Sequence, residues 1–309
     1  MKFLAIFLIT FIFIGCEKSN SDNTLRIGQQ HGMQYSGIYL ANELGILAKY
    51  LPNTKVELRT FSGGSAIAEA LISGHLDVGC FGIAPALIAM DKGAKFKIAF
   101  GLSVPPSQLI VMDKSIKSLN DIKDSDKIAI PSVGSIQHIT LSIAAQKLYN
   151  NPHKFDKNII AMANPEAFNA LINKTDIVAH FASMPYIAKE LAMGGGIAFD
   201  VNNIGIKTSI VCAVNSEFYA TKNIDYQGLL RAVDESIALL NAKDLKAIDT
   251  VAKVEKISQK EALEYIEYPN SIFSTKVYGL NEIYEYMLSS GHIKNPIKEL
   301  IWDKEMMAK

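Results

Sequence analysis

The chain has 309 residues, 49% of them hydrophobic and 20% charged, which excludes a disordered or low-complexity protein and is long for a single core. Lys plus Arg and Asp plus Glu both number 31, so the chain has no net charge and no basic footprint for nucleic acid. Only three arginines occur, Arg26, Arg59 and Arg231, so an anion held here would depend on backbone N–H, hydroxyl and amide groups.

The chain opens with Met1-Lys2 and an apolar run from Phe3 to Ile14, followed by Gly15-Cys16 and the polar stretch EKSNSDN. The run is too short to span a bilayer comfortably and reads as a signal-peptide core. A Cys after a small residue at its end resembles a bacterial lipobox, with Phe13 where Leu is usual. The expectation is a signal peptide over 1–15, a lipidated Cys16 and a tether over 16–23. The protein would then be exported, on the periplasmic or cell-surface side, and anchored to a membrane.

From Leu25 onward strand and helix patterns alternate, which predicts an α/β fold with helices on both faces of parallel sheets. LRIGQQ reads as a strand and YSGIYLANELGIL as an amphipathic helix. KVELRTF, LDVGCFG and FKIAFGLS are strands, with helices AIAEALISG and ALIAMDKG between them. After Val104-Pro105-Pro106 come the strand SQLIVMDK, a short helix KSLNDIKD, the strand KIAIPS and the helix SIQHITLSIAAQKLY. NIIAM, PEAFNALINK, IVAHFA, MPYIAKELAMG and IAFDV continue the alternation, and SIVCAVN is the last strong strand. Beyond Asp225 the pattern is almost wholly helical, through a final segment PIKELIWDKEMM. The restart after 105 and the stop near 217 predict two lobes, 24–104 plus 218–309 and 105–217. SQLIVMDK and SIVCAVN would be hinge strands crossing between them. Cys80 and Cys212 lie in apolar strand-like runs, which reads as two core thiols rather than a bridge.

The candidate binding groups lie where strands run into helices. Ser62-Gly63-Gly64-Ser65-Ala66 opens one helix, and Gly82-Ile83-Ala84-Pro85 opens the next. Such mouths combine glycine's close approach with unpaired N–H groups and the positive end of a dipole. Ser65 could cap its helix and still face a ligand. Gly134-Ser135-Ile136-Gln137 repeats this chemistry in the second half, with Ser135 as N-cap. Gln30 ends the first strand, and His180-Phe181 ends a later one, with His180 the better ligand candidate among the histidines. Any single Gly/Ser helix start is ordinary turn chemistry; recurrence at several strand ends points to a site. His31, His138 and His180 come from separate elements without metal-ligand spacing, so no metal and no cofactor are expected. There is no GxSxG, no phosphate-loop lysine and no acid pair at the strand ends, so the reading is a binding protein, not an enzyme.

The segment SGGSAIAEALISGHLDVGCFGIAPAL resembles the most recognisable block of the nitrate/sulfonate/taurine family of substrate-binding proteins that serve ABC importers. LRIGQQ with its aromatic-rich helix, GSIQHITLSIAAQKLY and IVAHFASMPYIAKEL are similar to further parts of that family. The resemblance implies the two-lobe type II periplasmic-binding-protein fold with C-terminal helices. It also implies a small anion or compact polar metabolite caught between the lobes, and delivery by a monomer to a permease and its ATPase. Its ligand contacts would fall on Gln30, Ser62 to Ala66, Gly82, Ile83, Gly134 to Gln137, His180 and Phe181. Two alternatives carry other functions. A fold-related thiamine-pyrimidine synthase would need a cysteine-rich motif and a cofactor lysine, and a ligand sensor would present its closed form to a signalling partner.

Overall fold

The computed structural model describes residues 23–216 and 226–308, so the predicted signal peptide and Cys16 lie outside the described residues. In chain order the strands are β1 (Thr24–Gln29), β2 (Lys55–Thr60), β3 (Val78–Gly82), β4 (Phe96–Val104), β5 (Ser107–Val111), β6 (Ile128–Ile130), β7 (Ile159–Ala161), β8 (Ala179–Ser183), β9 (Gly196–Asp200), β10 (Ile210–Asn215) and β11 (Ile272–Phe273). The described helices are α1 (Ser36–Glu43), α2 (Ile46–Tyr50), α3 (Gly64–Ile72), α4 (Ile83–Asp91), α5 (Ile136–Tyr149), α6 (Asn164–Ile172), α7 (Tyr186–Ala192), α8 (Tyr226–Asn241), α9 (Leu245–Glu255), α10 (Gln259–Ile266) and α11 (Leu280–Ser289).

These strands form two sheets of matching plan. The first has the order β11-β4-β10-β3-β1-β2, the second β7-β6-β8-β5-β9. In each, three strands run parallel (β2-β1-β3 and β7-β6-β8) and a fourth enters antiparallel, β10 in the first and β5 in the second. The sheets are therefore mixed rather than parallel throughout. The reason is connectivity: β5 and β10 are the strands that follow a passage from the other sheet. The predicted hinge strands each lie wholly in one sheet, and the passages are the short segments before them, Pro105-Pro106 and Gly205 to Ser209. Ser209 is fully buried, and its Oγ accepts from the Tyr278 N–H at 2.8 Å.

Burial follows the sheet plan. β3 and β5 are buried along their whole length, as expected of strands covered on both faces. Cys80 and Cys212 are cross-strand partners on β3 and β10, and they form a disulfide although 132 residues separate them in sequence. This corrects the reading of two free core thiols. A local apolar pattern carries no information about which distant strand will lie alongside. A bridge closing so long a loop contributes about 2–5 kcal/mol.

Two predicted helices are absent. KSLNDIKD makes only the 3-10 turn Leu119–Asp121, closed by a capping box between Ser118 and Asp121. The final segment lies along the first sheet and makes only the 3-10 turn Lys304–Met306. Ile98 bridges Ile301, the Trp302 N–H donates to the Ile98 carbonyl at 2.7 Å, and Val277 bridges Met307. β4 offers an open row of backbone groups there, and pairing with it outweighs a modest helical propensity. The helices α8 to α11 are present, and Ser258 with Glu261 forms the capping box that starts α10.

The helices α1 and α9 meet α7 of the second lobe around Glu255. Its carboxylate accepts from the Tyr39 hydroxyl at 3.3 Å. Burial raises the Glu255 carboxyl to about 7, opposed by the Tyr39 bond and by the charge of Lys189 on α7. With an ordinary unfolded value near 4.5, the native state holds a proton here that the unfolded chain has lost. The resulting stabilisation is complete below pH 4.5 and disappears as pH rises through 7. Glu255→Gln keeps the acceptor and removes the charge. Thermal unfolding should show little change for this variant at pH 5 and a higher melting temperature than wild type at pH 8. An equal shift at both pH values would contradict the assignment.

Candidate functional site

The parallel strands of both sheets deliver their carboxyl ends to one cleft between the lobes, together with the two passages. Gln30 follows β1, Gly64 opens the helix after β2, and Gly82 and Pro85 follow β3. From the second lobe come Pro131 and Ser135 to Gln137 after β6, Asn164 after β7 and Ser183 at the end of β8. Pro105 contributes from one passage and Ile210 from the start of β10 just after the other, and Gln34 and Tyr35 from the 3-10 turn Met33–Tyr35. This is the crevice that a topological switch in an open α/β sheet creates.

The lobes are closed on one another. The Met33 N–H donates to the Met184 carbonyl at 3.1 Å, linking the turn after β1 to the loop after β8. A Cβ on Gly63 would stand 2.6 Å from the Pro131 carbonyl oxygen, and one on Gly134, at φ +78°, would stand 2.5 Å from Cδ1 of Ile88. These two glycines let the facing loops touch across the seam. The cavity left inside is about 20 Å³, room for one water molecule. Nothing larger than water fits inside this closed form.

Four helices start at the cleft, α3, α4, α5 and α6. The N-caps of α3 and α4, Gly63 and Gly82, provide no side-chain cap, so their mouths face the cleft with backbone alone. One donor at the α4 mouth is used, since the Ile83 N–H donates to the Ser209 carbonyl at 3.3 Å. On the opposite side Ser135 caps α5, its Oγ accepting from the His138 N–H at 3.3 Å. Among the described residues no charged side chain lines the cleft. Its field comes from helix mouths and amide or hydroxyl dipoles.

Six predicted site residues line the cleft: Gln30, Gly64, Gly82, Ser135, Ile136 and Gln137. The others are elsewhere. Ser62 and Ser65 are exposed on the outside of the α3 turn, and Ser65 does not cap its helix. Ala66 is part-buried beyond them, and Gly63 and Gly134 serve the lobe contact just described. Ile83 is fully buried in the core, and Phe181 packs edge-on against Phe199 at 6.0 Å. His180 is fully buried and does not reach the cleft.

His180 acts one residue removed. Its Nδ1 meets Oε1 of Glu190 at 2.6 Å, and its Nε2 meets Oδ1 of Asn164 at 3.2 Å. Amide oxygen accepts only, so Nε2 carries the proton and donates. One further proton is shared between Nδ1 and Glu190. Burial raises the Glu190 carboxyl, and the bond to His180 pulls it back. The result holds the Asn164 amide with its NH₂ toward Ser183, whose Oγ lies 3.4 Å away. Asn164 and Ser183 line the cleft in the place assigned to His180 and Phe181. Asn164 could have been found as a polar residue two positions past the strand NIIAM, at the start of the next helix; Gln34 and Tyr35 had no comparable signal, because they sit in a turn rather than at a strand end.

His138 is structural too. It accepts from the Gly134 N–H at 3.0 Å and meets Asp156 at 3.1 Å, which pins the loop that carries Ser135. On its other side His292 packs against His138 and His153, and burial followed by their charge depresses its imidazole to about 4. His31 stands exposed, and its carbonyl accepts from Nε2 of Gln34 at 3.1 Å.

The two lobes, their passages and the cleft at the strand ends define a type II periplasmic-binding-protein fold. Two solved structures share it. The alkanesulfonate-binding protein SsuA from Xanthomonas axonopodis pv. citri, bound to MOPS, superposes with a TM-score of 0.77 at 19% identity, over 91% of this chain and 98% of that one. The periplasmic aliphatic sulphonate binding protein SsuA from Escherichia coli gives 0.68 at 22%, over 92% and 93%. In sequence the chain is 26% identical over 255 residues to a putative aliphatic sulfonates-binding protein of Escherichia coli (strain K12), covering 81% of this chain and 77% of the relative. Residues 18–254 match the NMT1-like family, and the chain belongs to that family, as an ABC-importer substrate-binding protein of the nitrate/sulfonate/taurine type.

Replacing His180 with Ala would leave the Glu190 carboxyl buried without its partner, at a cost of about 3–5 kcal/mol. Denaturant unfolding of His180→Ala should show a midpoint far below wild type, with Asn164→Ala much closer to it. A wild-type midpoint for His180→Ala would refute the buried pair.

Proposed function

We propose that this protein is the exported, membrane-tethered solute receptor of an ABC importer. It captures a small anion or compact polar metabolite between its lobes and delivers it, as a monomer, to a permease and its ATPase. The observation that carries this reading is the convergence of helix mouths from both lobes on one uncharged cleft. Such a cleft can hold an anionic or carbonyl-bearing head by N–H donors alone, without fixed counter-charge. Contacts from both lobes are made together only when they close, so cargo stabilises the closed form, and that form docks on the permease. The kinship with a protein named for aliphatic sulfonates supports a sulfonate-like or similar head group. Neither a nucleophile–base pair nor a pair of carboxylates lines the cleft among the described residues, which supports binding without chemistry. The apolar run before Gly15-Cys16 supports export and lipidation of Cys16.

Cargo at about a hundred times its dissociation constant should stabilise the mature chain by about 2.7 kcal/mol. A thermal-shift screen of the chain from Glu17 against nitrate, bicarbonate, taurine, alkyl sulfonates and small carboxylates should therefore show a clear rise with one of them, reduced in Asn164→Ala. No rise with any of these, together with no co-purified small molecule, would sink the receptor reading. For the anchor, expressed full-length protein should sediment with membranes, and Cys16→Ser should release it to the soluble fraction. Unchanged sedimentation of Cys16→Ser would remove the lipid from the account.

A further inference from the structure

We propose that the cargo carries a hydrogen-bond donor, an N–H or O–H group, opposite its acceptor-rich head, and that Gln34 is the residue that selects for it. This rests on the receptor reading above and narrows it to one chemical class. Gln34 lines the cleft, is 7% exposed, and its Oε1 has no hydrogen-bond partner. Its Nε2 donates to the His31 carbonyl at 3.1 Å. That bond sets the amide orientation, because the flipped amide would press oxygen against oxygen. The turn is shaped to hold it so. Gly32 sits at φ +119°, and a Cβ there would lie 2.5 Å from Oε1 and 2.9 Å from Cδ of Gln34. Both the backbone angle and the space demand glycine.

A buried acceptor with no donor is destabilising until something supplies one. The neighbouring polar groups are disposed the other way. The Tyr35 hydroxyl accepts from Nε2 of Gln30 at 2.6 Å, and Ser135 Oγ accepts from the His138 N–H, so each keeps its own proton to donate. Asn164 presents its NH₂, since its oxygen is engaged by His180. The cleft thus offers several donors for a head and, on Gln34, a buried amide oxygen without a protein partner for a donor on the same molecule. Among the described residues no charged side chain lines the cleft, so both the head and the donor of the cargo would be met by neutral dipoles. A small zwitterion or amide-bearing metabolite meets these terms. Nitrate and simple alkyl sulfonates have no donor to give.

The test uses matched pairs that differ only in the donor: taurine against ethanesulfonate, and β-alanine against propanoate. Calorimetric titration is combined with native mass spectrometry of the protein as purified from cells. Expected is binding of a donor-bearing member at least ~10-fold tighter than its partner, or a co-purified molecule bearing N–H or O–H. The ratio should collapse in Gln34→Leu, with binding of the donor-free member retained. Equal affinity within a pair, or a co-purified molecule without any donor, overturns the inference and leaves the receptor reading standing. No probe bound and no molecule carried overturns the receptor reading, and the inference falls with it.

Discussion

Val211 to Val214 of β10 run between β3 and β4, bonded to both in the opposite direction to β3, and Cys212 is tied covalently to Cys80. The chain leaves the first sheet at Val104 and returns at Ile210, so this strand is where the entire second lobe is fastened. Its antiparallel entry places the returning passage beside the carboxyl end of β3. That is why Ile210 and Pro105 share a cleft with Gly82 and Gln30. The disulfide locks the register of the return, and a one-residue slip there would turn every side chain of β10 to the other face. The chain therefore passes between the two sheets only in two short segments, which meet the cleft at Pro105 and Ile210.

The cleft shows how a protein with few arginines can hold a polar molecule. Fixed charge is kept out of it and placed behind it. Glu190 and His180 form a fully buried pair whose work is to orient the Asn164 amide, and His138 with Asp156 does the same for the loop bearing Ser135. A buried pair of this kind adds little net stability, but it leaves a neutral donor with one direction. Helix mouths supply the remaining field. They keep the site uncharged whether the lobes are open or closed, so closing does not strand a side-chain charge in a dry cavity.

The legible part of the fold was the local part. The alternation from Leu25 to Asn215 and the Ser135 cap depend on neighbours within a turn or two, and the structure keeps them. Failures came where a distant partner decided. Residues 296–307 have helical composition yet form no α-helix, only the 3-10 turn Lys304–Met306, because pairing with the open backbone of β4 and with Val277 outbids a weak local preference. At the site, rank along the chain gave the right strand ends but not the side of each loop that faces inward. Ser65 and Ser135 look alike as residues beside a glycine at a helix start; one is exposed and the other lines the cleft. His180 was drawn as a contact because it ends a strand, and its inward-facing register buries it instead behind Asn164.

By itself the sequence determined the class: a neutral, two-lobe α/β chain whose Gly- and Ser-rich helix starts and family blocks belong to a substrate-binding protein. Hydrophobic period, capping residues and composition are written in short windows, so they survive without coordinates. Only the tertiary structure decided the antiparallel entry of β5 and β10, the Cys80–Cys212 bridge, the placement of Asn164, and the buried, unpartnered oxygen of Gln34, a residue of the cleft wall. Each of these depends on groups brought together from far along the chain, and on which way a side chain points once they meet, and neither is set by local pattern.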